Sequence, residues 1–270
     1  MDIQTICLPQ IIEAAHLGSL DYFMRRTAFV ISHKAESLDT LMTVLRYLPA
    51  ESPVIIVSNC LPRERAYLRG ELDSYLAGRP AAYLAHQKDE RIAHFFRECG
   101  VSSILGADGA VVDGKGEGMY IGALLAALLR RPEWLVYFDA DNHAPSALLE
   151  YTLAMGRLFM AARAAGTEEA PGAHGAPGRL TPPTLHNVRV CWASKPTYDG
   201  GDYTPQARVI GRCTQVVAPF CDELLRARQP WNDQPLLTPN AGEQGMTMRT
   251  AKTLRFSSGF SVETFQLLDL

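Results

Sequence analysis

Short apolar runs alternate with polar clusters and helical stripes along the chain, the rhythm of strands feeding helices. Thr27-Ala28-Phe29-Val30-Ile31-Ser32 is the first such run, and it leads into His33-Lys34-Ala35-Glu36. A continuous apolar run of this length predicts a strand buried on both faces. Leu38, Leu41, Met42, Leu45 and Leu48 then recur at helical spacing, with Ser37 as N-cap and Pro49 beyond the end. Strand, polar turn and helix open a βαβ unit. Val54 to Asn59 predicts the next strand, Leu61 to Gly78 a charged, solvated helix, and Ala81 to Ala85 a third strand ending in His86-Gln87-Lys88-Asp89-Glu90. A helix to about Cys99 follows. Asp113-Gly114-Lys115-Gly116-Glu117-Gly118-Met119 then opens a helix from Tyr120 to Leu129, apolar almost all round and so placed in the interior.

The run Trp134-Leu135-Val136-Tyr137-Phe138 delivers Asp139-Ala140-Asp141-Asn142. Alternation along an extended chain turns Asp139 and Asp141 to one side, where both can reach one hard cation or its water. A bare Asp-x-Asp also suits a turn that caps the next helix, so the pair by itself leaves both readings open. That next helix spans Ser146 to Met160, with Leu149, Leu153, Gly156 and Met160 as its buried stripe. Residues 161–185 are Ala/Gly/Pro-rich without periodicity and read as a mobile surface excursion that includes His174. Val188 to Trp192 returns as a strand into Ser194-Lys195-Pro196. Arg208 to Thr214 reads as another, and a helix surrounds Cys221 to Arg228. The first two dozen residues carry little pattern, and no internal repeat is visible. The expected organisation is a single domain over residues 1–270, with one half at 27–160 and another at 186–270 on either side of the excursion.

Composition narrows the function. With 47% hydrophobic and 20% charged residues and a net charge of -3, the chain is an ordinary globular protein without a basic field for nucleic acid. The N-terminus resembles no signal peptide, and the longest aliphatic run, Ile121 to Leu129, is too short to span a bilayer, so a soluble, cytoplasmic protein is expected. The six cysteines (Cys7, Cys60, Cys99, Cys191, Cys213, Cys221) form no C-x-x-C pair and read as reduced, small core residues. Lysine is scarce, with five residues against 21 arginines, and Lys34, Lys88, Lys115 and Lys195 all fall in the polar clusters. His86 and His94 stand alone and read as hydrogen-bonded core or surface residues. No local Ser-His-Asp or Cys-His pairing appears.

Five predicted strand ends carry polar clusters: Ser32 to Glu36, Ser58-Asn59, His86 to Asp89, Asp139 to Asn142, and Trp192 to Lys195. In a mostly parallel sheet they meet along the C-terminal edge, the expected ligand crevice. Lys34, Lys88 and Lys115 would flank a diphosphate there, with a divalent ion on Asp141. The Gly114 to Gly118 segment at a helix N-terminus suits an anion, although the spacing is not that of a P-loop.

At these residues the chain resembles the mannosyl-3-phosphoglycerate synthases, retaining glycosyltransferases of the GT-A fold. The resemblance covers about Phe29 to Glu263. It rests on the shared order of His86-Gln-Lys-Asp, Gly114-Lys-Gly-Glu-Gly-Met, Asp139-Ala-Asp-Asn, Trp192 with Lys195-Pro196, Asn240-Ala-Gly-Glu and Ser258-Gly-Phe-Ser-Val-Glu. It implies a Rossmann-like α/β fold and transfer of mannose from GDP-mannose to 3-phosphoglycerate, in mannosylglycerate biosynthesis. Ser32, Lys34, Glu36, Ser58 and Asn59 would face the guanosine. Gln87, Lys88, Lys115, Asp139 and Ala140 would complete the donor site, with Asp139 toward the ribose or a metal-bound water. Asp141 would ligate Mg²⁺ or Mn²⁺. Asp139, Asp141 and Lys115 would carry catalysis, and Arg212, Asn240, Ala241, Gly242 and Glu243 would lie near the acceptor. The family continues past the Gly-Phe-Ser-Val-Glu motif into a region with a histidine resembling a second metal ligand, and this chain stops at Leu270. The resemblance therefore implies a fragment or a different group at that site, with His143 the nearby candidate. A related transferase using GDP-glucose, a binding module without turnover, and a homodimer built on an exposed edge strand or apolar helix remain open at this stage.

Overall fold

The computed structural model describes residues 17–34, 36–79, 81–167, 186–192, 194–199, 202–209, 212–228 and 235–270. Helix α1 (Leu17–Arg25) lies in the stretch that carried little pattern. The predicted βαβ rhythm follows as β1 (Thr27–His33), α2 (Leu38–Arg46), β2 (Val54–Ser58), α3 (Pro62–Ala77), β3 (Ala82–His86), α4 (Glu90–Glu98), α5 (Lys115–Leu128), β4 (Trp134–Asp139) and α6 (Ser146–Thr167). Ser37 caps α2 as predicted, its side-chain oxygen accepting from Thr40 N at 3.2 Å. The second half contains β5 (Asn187–Arg189), a hairpin of β6 (Ser194–Asp199) and β7 (Asp202–Val209), α7 (Arg212–Arg228), β8 (Gln244–Thr247), α8 (Met248–Thr253) and α9 (Val262–Asp269).

The central sheet has six strands in the order β3-β2-β1-β4-β8-β5. Strands β1 to β4 are mutually parallel, whereas β8 runs antiparallel to both β4 and β5. The architecture is thus α/β with a mostly parallel sheet flanked by helices, as a GT-A-like fold requires. Side-chain alternation divides the core into two layers. Phe29, Ile31, Ile56, Val136 and Phe138 pack with residues of α1, α2, α3 and α6. Ala28, Val30, Ile55, Val57, Leu135, Tyr137 and Met246 pack on the other face with α4, α5, α8 and α9.

Three expectations need correction. The buried stripe of α6 is Leu148, Thr152, Met155, Gly156 and Phe159; of the expected positions Gly156 is buried and Met160 packs on the core, but Leu153 is only half-buried and Leu149 is exposed. Leucine and methionine occur on both candidate faces, and contact with α1 selects between them: Phe159 stacks on Phe23, and a Cβ on Gly156 would come within 2.8 Å of the same ring. The helix also continues to Thr167, into the predicted excursion. Residues 168–185, with His174, lie outside the described residues. Second, the expected strand from Arg208 to Thr214 ends at Val209, and Arg212 opens a helix. Ala218, Cys221 and Leu225 are buried at helical spacing there, and that burial extends the helix expected around Cys221 to Arg228 back to Arg212, over the end of the expected strand. Third, Cys60 and Cys221 are buried free thiols, but Cys99 and Cys191 are exposed instead of filling the core.

Candidate active site at the C-terminal edge of the sheet

The parallel register lines up Ser32 with Asp139, His33 with Ser58, and Ser58 with His86. Four polar strand ends therefore share one edge. Because Gln244 of β8 opposes Tyr137, the preceding Asn240 to Glu243 turn reaches the same edge from the opposite chain direction. Val190 N donates to Glu243 O at 3.0 Å, which brings the Trp192 end of β5 alongside.

At the centre, Lys115 Nζ lies 2.7 Å from Asp139 Oδ1 and 2.5 Å from Glu263 Oε1. Their side chains retain only 12%, 20% and 11% of their solvent exposure. Burial opposes charge on Lys115, but Asp139 and Glu263 outweigh it and raise the ammonium pKa above its ordinary value. The triad carries two carboxylates and one ammonium, hence one net negative charge at neutral pH. Asp139 sits so close to the Asn240 to Glu243 turn that a Cβ on Gly242 would fall 2.0 Å from its Oδ2. A side chain at that position would force the Asp139 carboxylate to shift.

The Gly114 to Gly118 segment was expected to precede its helix, but α5 begins at Lys115 and the motif forms its first turn. Close approach accounts for two of its glycines: a Cβ on Gly116 would lie 1.9 Å from Ser257 O, and one on Gly114 would lie 2.9 Å from Gly259 N. Glu117 fastens the covering segment by accepting from Ser258 Oγ and from Gly259 N. Gly259 takes a left-handed φ of 64°, which lets the chain turn into α9 and present Glu263 in its first turn.

The remaining predicted residues divide between lining and support. Lys34 is exposed, and its backbone N donates to Glu36 Oε2 at 2.7 Å. Lys88 Nζ is 3.1 Å from Asp113 Oδ1, which also accepts from Asn59 Nδ2, and these contacts hold the Asp113 carboxyl below its ordinary pKa. Ser58 and Gln87 are buried and bonded inward. Ser58 Oγ contacts His33 Nδ1 at 2.9 Å, and Gln87 Nε2 donates to Val112 O and Gly114 O. Ala140 is buried, and its N donates to Ser32 O at 3.2 Å. Ala241 and Glu243 are buried, Glu243 accepting from Trp192 Nε1 at 2.9 Å, and Asn240 Oδ1 accepts from Thr264 Oγ1. Arg212 begins α7, and its side chain, like that of Lys195, lies outside what the structure describes.

The strand stops at Asp139, and Asp141 lies in the turn that follows, so simple alternation does not carry from Asp139 through Asp141 to His143. Asn142 Oδ1 caps this turn by accepting from Ala144 N at 2.8 Å. Among the described residues no three His, Cys, Asp or Glu side chains gather as a metal cage. His86 is a supporting core residue, as expected of a lone histidine. Its Nδ1 accepts from Arg65 Nη2 at 2.9 Å and Lys88 N at 3.1 Å while Nε2 donates to Cys60 O at 2.9 Å, and burial lowers its pKa.

The chain matches the family model for mannosyl-3-phosphoglycerate synthase over residues 10–270. It belongs to the mannosyl-3-phosphoglycerate synthase family. Among curated relatives, the mannosyl-3-phosphoglycerate synthase of Pyrococcus furiosus is 29% identical over 249 residues, covering 91% of this chain and 58% of that protein. The one from Aeropyrum pernix is 29% identical over 255 residues, covering 93% and 60%. The chain thus spans about three fifths of the length of these relatives. Among the described residues no helix is long and apolar enough to cross a membrane.

Sequence reasoning did not assign Glu263, Glu117, Asp113 or Arg189 to the site. Glu263 and Glu117 both stand inside sequence motifs, and the structure puts each in the first turn of a helix. Asp113 likewise opens the glycine-rich motif, whereas nothing local marks Arg189.

Proposed function

We propose that this chain carries the donor site and catalytic edge of a transferase that moves mannose from GDP-mannose to the hydroxyl of 3-phosphoglycerate with retention at the anomeric carbon, serving mannosylglycerate synthesis. The observation that carries this reading is the Lys115, Asp139 and Glu263 triad, two carboxylates bridged by one buried ammonium at the ligand edge of the sheet. A net negative cluster with little solvent favours a sugar that develops positive charge at its anomeric carbon. Family membership supplies the donor and acceptor classes.

On this reading the guanosine lies across the ends of β1 and β2 near Ser32, Lys34, Glu36 and Asn59. Lys88 exchanges Asp113 for the diphosphate, which its 29% side-chain exposure allows. The Asn240 to Glu243 turn and Arg212 receive the acceptor. A divalent ion fits Asp141: Mg²⁺ commonly keeps water and takes one or two carboxylates plus phosphate oxygens instead of an all-protein cage. Asp141, in the turn just beyond Asp139, is the carboxylate that would hold it. When bound, such an ion neutralises charge on the diphosphate.

Front-face transfer then needs no protein nucleophile. The bond from the anomeric carbon to the diphosphate oxygen breaks, and that carbon bonds to the acceptor oxygen. The acceptor's hydroxyl proton passes to the departing diphosphate. The protein holds the two reactants in contact and stabilises charge.

The test is incubation with GDP-mannose, Mg²⁺ and 3-phosphoglycerate, with product mass and anomeric configuration read by mass spectrometry and NMR. A phosphorylated mannosylglycerate with the donor's configuration supports the reading. Preferential use of GDP-glucose would reassign the donor. A melting temperature raised by GDP-mannose without product would leave a nucleotide-sugar-binding module.

A further inference from the structure

We infer that Arg189 is a positioning residue that sets the acceptor-side turn and Glu263 against each other, an inference that rests on the transferase reading above. Its guanidinium lies beneath the site and links three segments distant in sequence. Nη1 donates to Gln244 Oε1 at 3.1 Å, and Nη2 donates to both Pro239 O and Glu263 O at 2.7 Å. Pro239 begins the turn that holds Asn240 to Glu243, and Glu263 lies in the first turn of the helix that faces Lys115.

The surrounding bonds make this link rigid. Gln244 Nε2 donates to Gln266 Oε1 at 2.9 Å, and Thr264 Oγ1 donates to Asn240 Oδ1. The turn and α9 therefore behave as one clasp with Arg189 as its hub. Glu263 closes the clasp on Lys115 and Asp139, while Gly242 packs directly on Asp139. A shift of Pro239 relative to Glu263 would change the distance between acceptor and donor edge, and a displacement of about 1 Å at such a point costs on the order of a hundredfold in rate.

A purely stabilising role is poorly served by this residue. Arg189 Nε is closed off from solvent and has no hydrogen-bond partner among the described residues. An apolar side chain of similar volume would avoid the cost of burying such a cation. What the guanidinium alone provides is a planar fork that binds two carbonyls and an amide oxygen at fixed angles.

The experiment compares the whole chain with Arg189→Met and Arg189→Lys. The expected result is a KM for 3-phosphoglycerate raised by about tenfold or more with a reduced kcat, GDP-mannose affinity unchanged, and partial recovery in Arg189→Lys. Hydrogen exchange on the same variants reads the clasp without substrate. Amides of 241–243 and 262–264 should exchange faster together, while those of β1 to β3 keep their rates. Equal loss of both substrates' affinities, uniform acceleration of exchange, or unchanged exchange in the two segments would overturn the inference. If Arg189→Met does not fold, Arg189→Lys is read by the same criteria. Absence of turnover in the wild-type chain would refute the transferase reading alone, because the exchange result stands without it.

Discussion

Replacing Lys115 by methionine tests the triad through its electrostatics. The substitution keeps most of the stem and removes the ammonium that lies 2.7 Å from Asp139 and 2.5 Å from Glu263. Breaking a buried ion pair by deleting one partner costs roughly 3–5 kcal/mol, because a charge is left uncompensated. The protein has one cheaper escape, which is uptake of a proton by the carboxylate pair. From an ordinary carboxylate pKa near 4, that uptake costs about 1.4 kcal/mol per pH unit, or about 4 kcal/mol at pH 7 and about 1.4 kcal/mol at pH 5. The variant should therefore lose about 3–4 kcal/mol at pH 7 and only about 1–2 kcal/mol at pH 5. The wild-type sign runs the other way: a raised lysine pKa contributes stability that is complete below the unfolded value of about 10.4 and fades only as pH climbs past it toward the folded value. Urea unfolding of both proteins at the two pH values measures the difference. A loss equal at pH 5 and pH 7, or below about 1 kcal/mol at pH 7, would refute a buried lysine bridging two carboxylates.

Gly242→Ala places a Cβ 2.0 Å from Asp139 Oδ2, so the variant should lose about 1–3 kcal/mol in chemical denaturation and most of its turnover. Asp141→Ala should fold normally by circular dichroism and lose roughly two to three orders of magnitude in kcat, and wild-type turnover would remove Asp141 from the metal assignment. The lowered pKa of His86 makes the folded state prefer the neutral ring. Stability should therefore fall as pH drops below the unfolded histidine value of about 6.5, and NMR titration of the ring should give a midpoint below that value. A midpoint at or above 6.5 would contradict the Nε2-protonated ring bonded to Cys60, Arg65 and Lys88.

The sequence by itself determined the strands of the parallel half, because continuous apolar runs such as Phe29 to Ile31 and Trp134 to Phe138 bury both faces and allow little else. It also determined that polar residues punctuate those strand ends, which points to the shared edge once parallel pairing is assumed. Motif order carried the family. Tertiary structure decided what local pattern leaves degenerate. Both faces of α6 offer apolar residues, and only the rings of α1 choose the one holding Phe159 and Gly156. Arg212 to Thr214 read locally as the end of a strand, and burial of Ala218, Cys221 and Leu225 draws the segment into a helix. The site shows the same division. Asp139 and Lys115 were legible as chemistry, but their mutual bond depends on α5 starting at Lys115, which glycine packing under Ser257 permits. Glu263 is separated from Lys115 by 148 residues, and Arg189 from Pro239 by 50. No periodicity encodes such contacts, because they arise where separate elements meet.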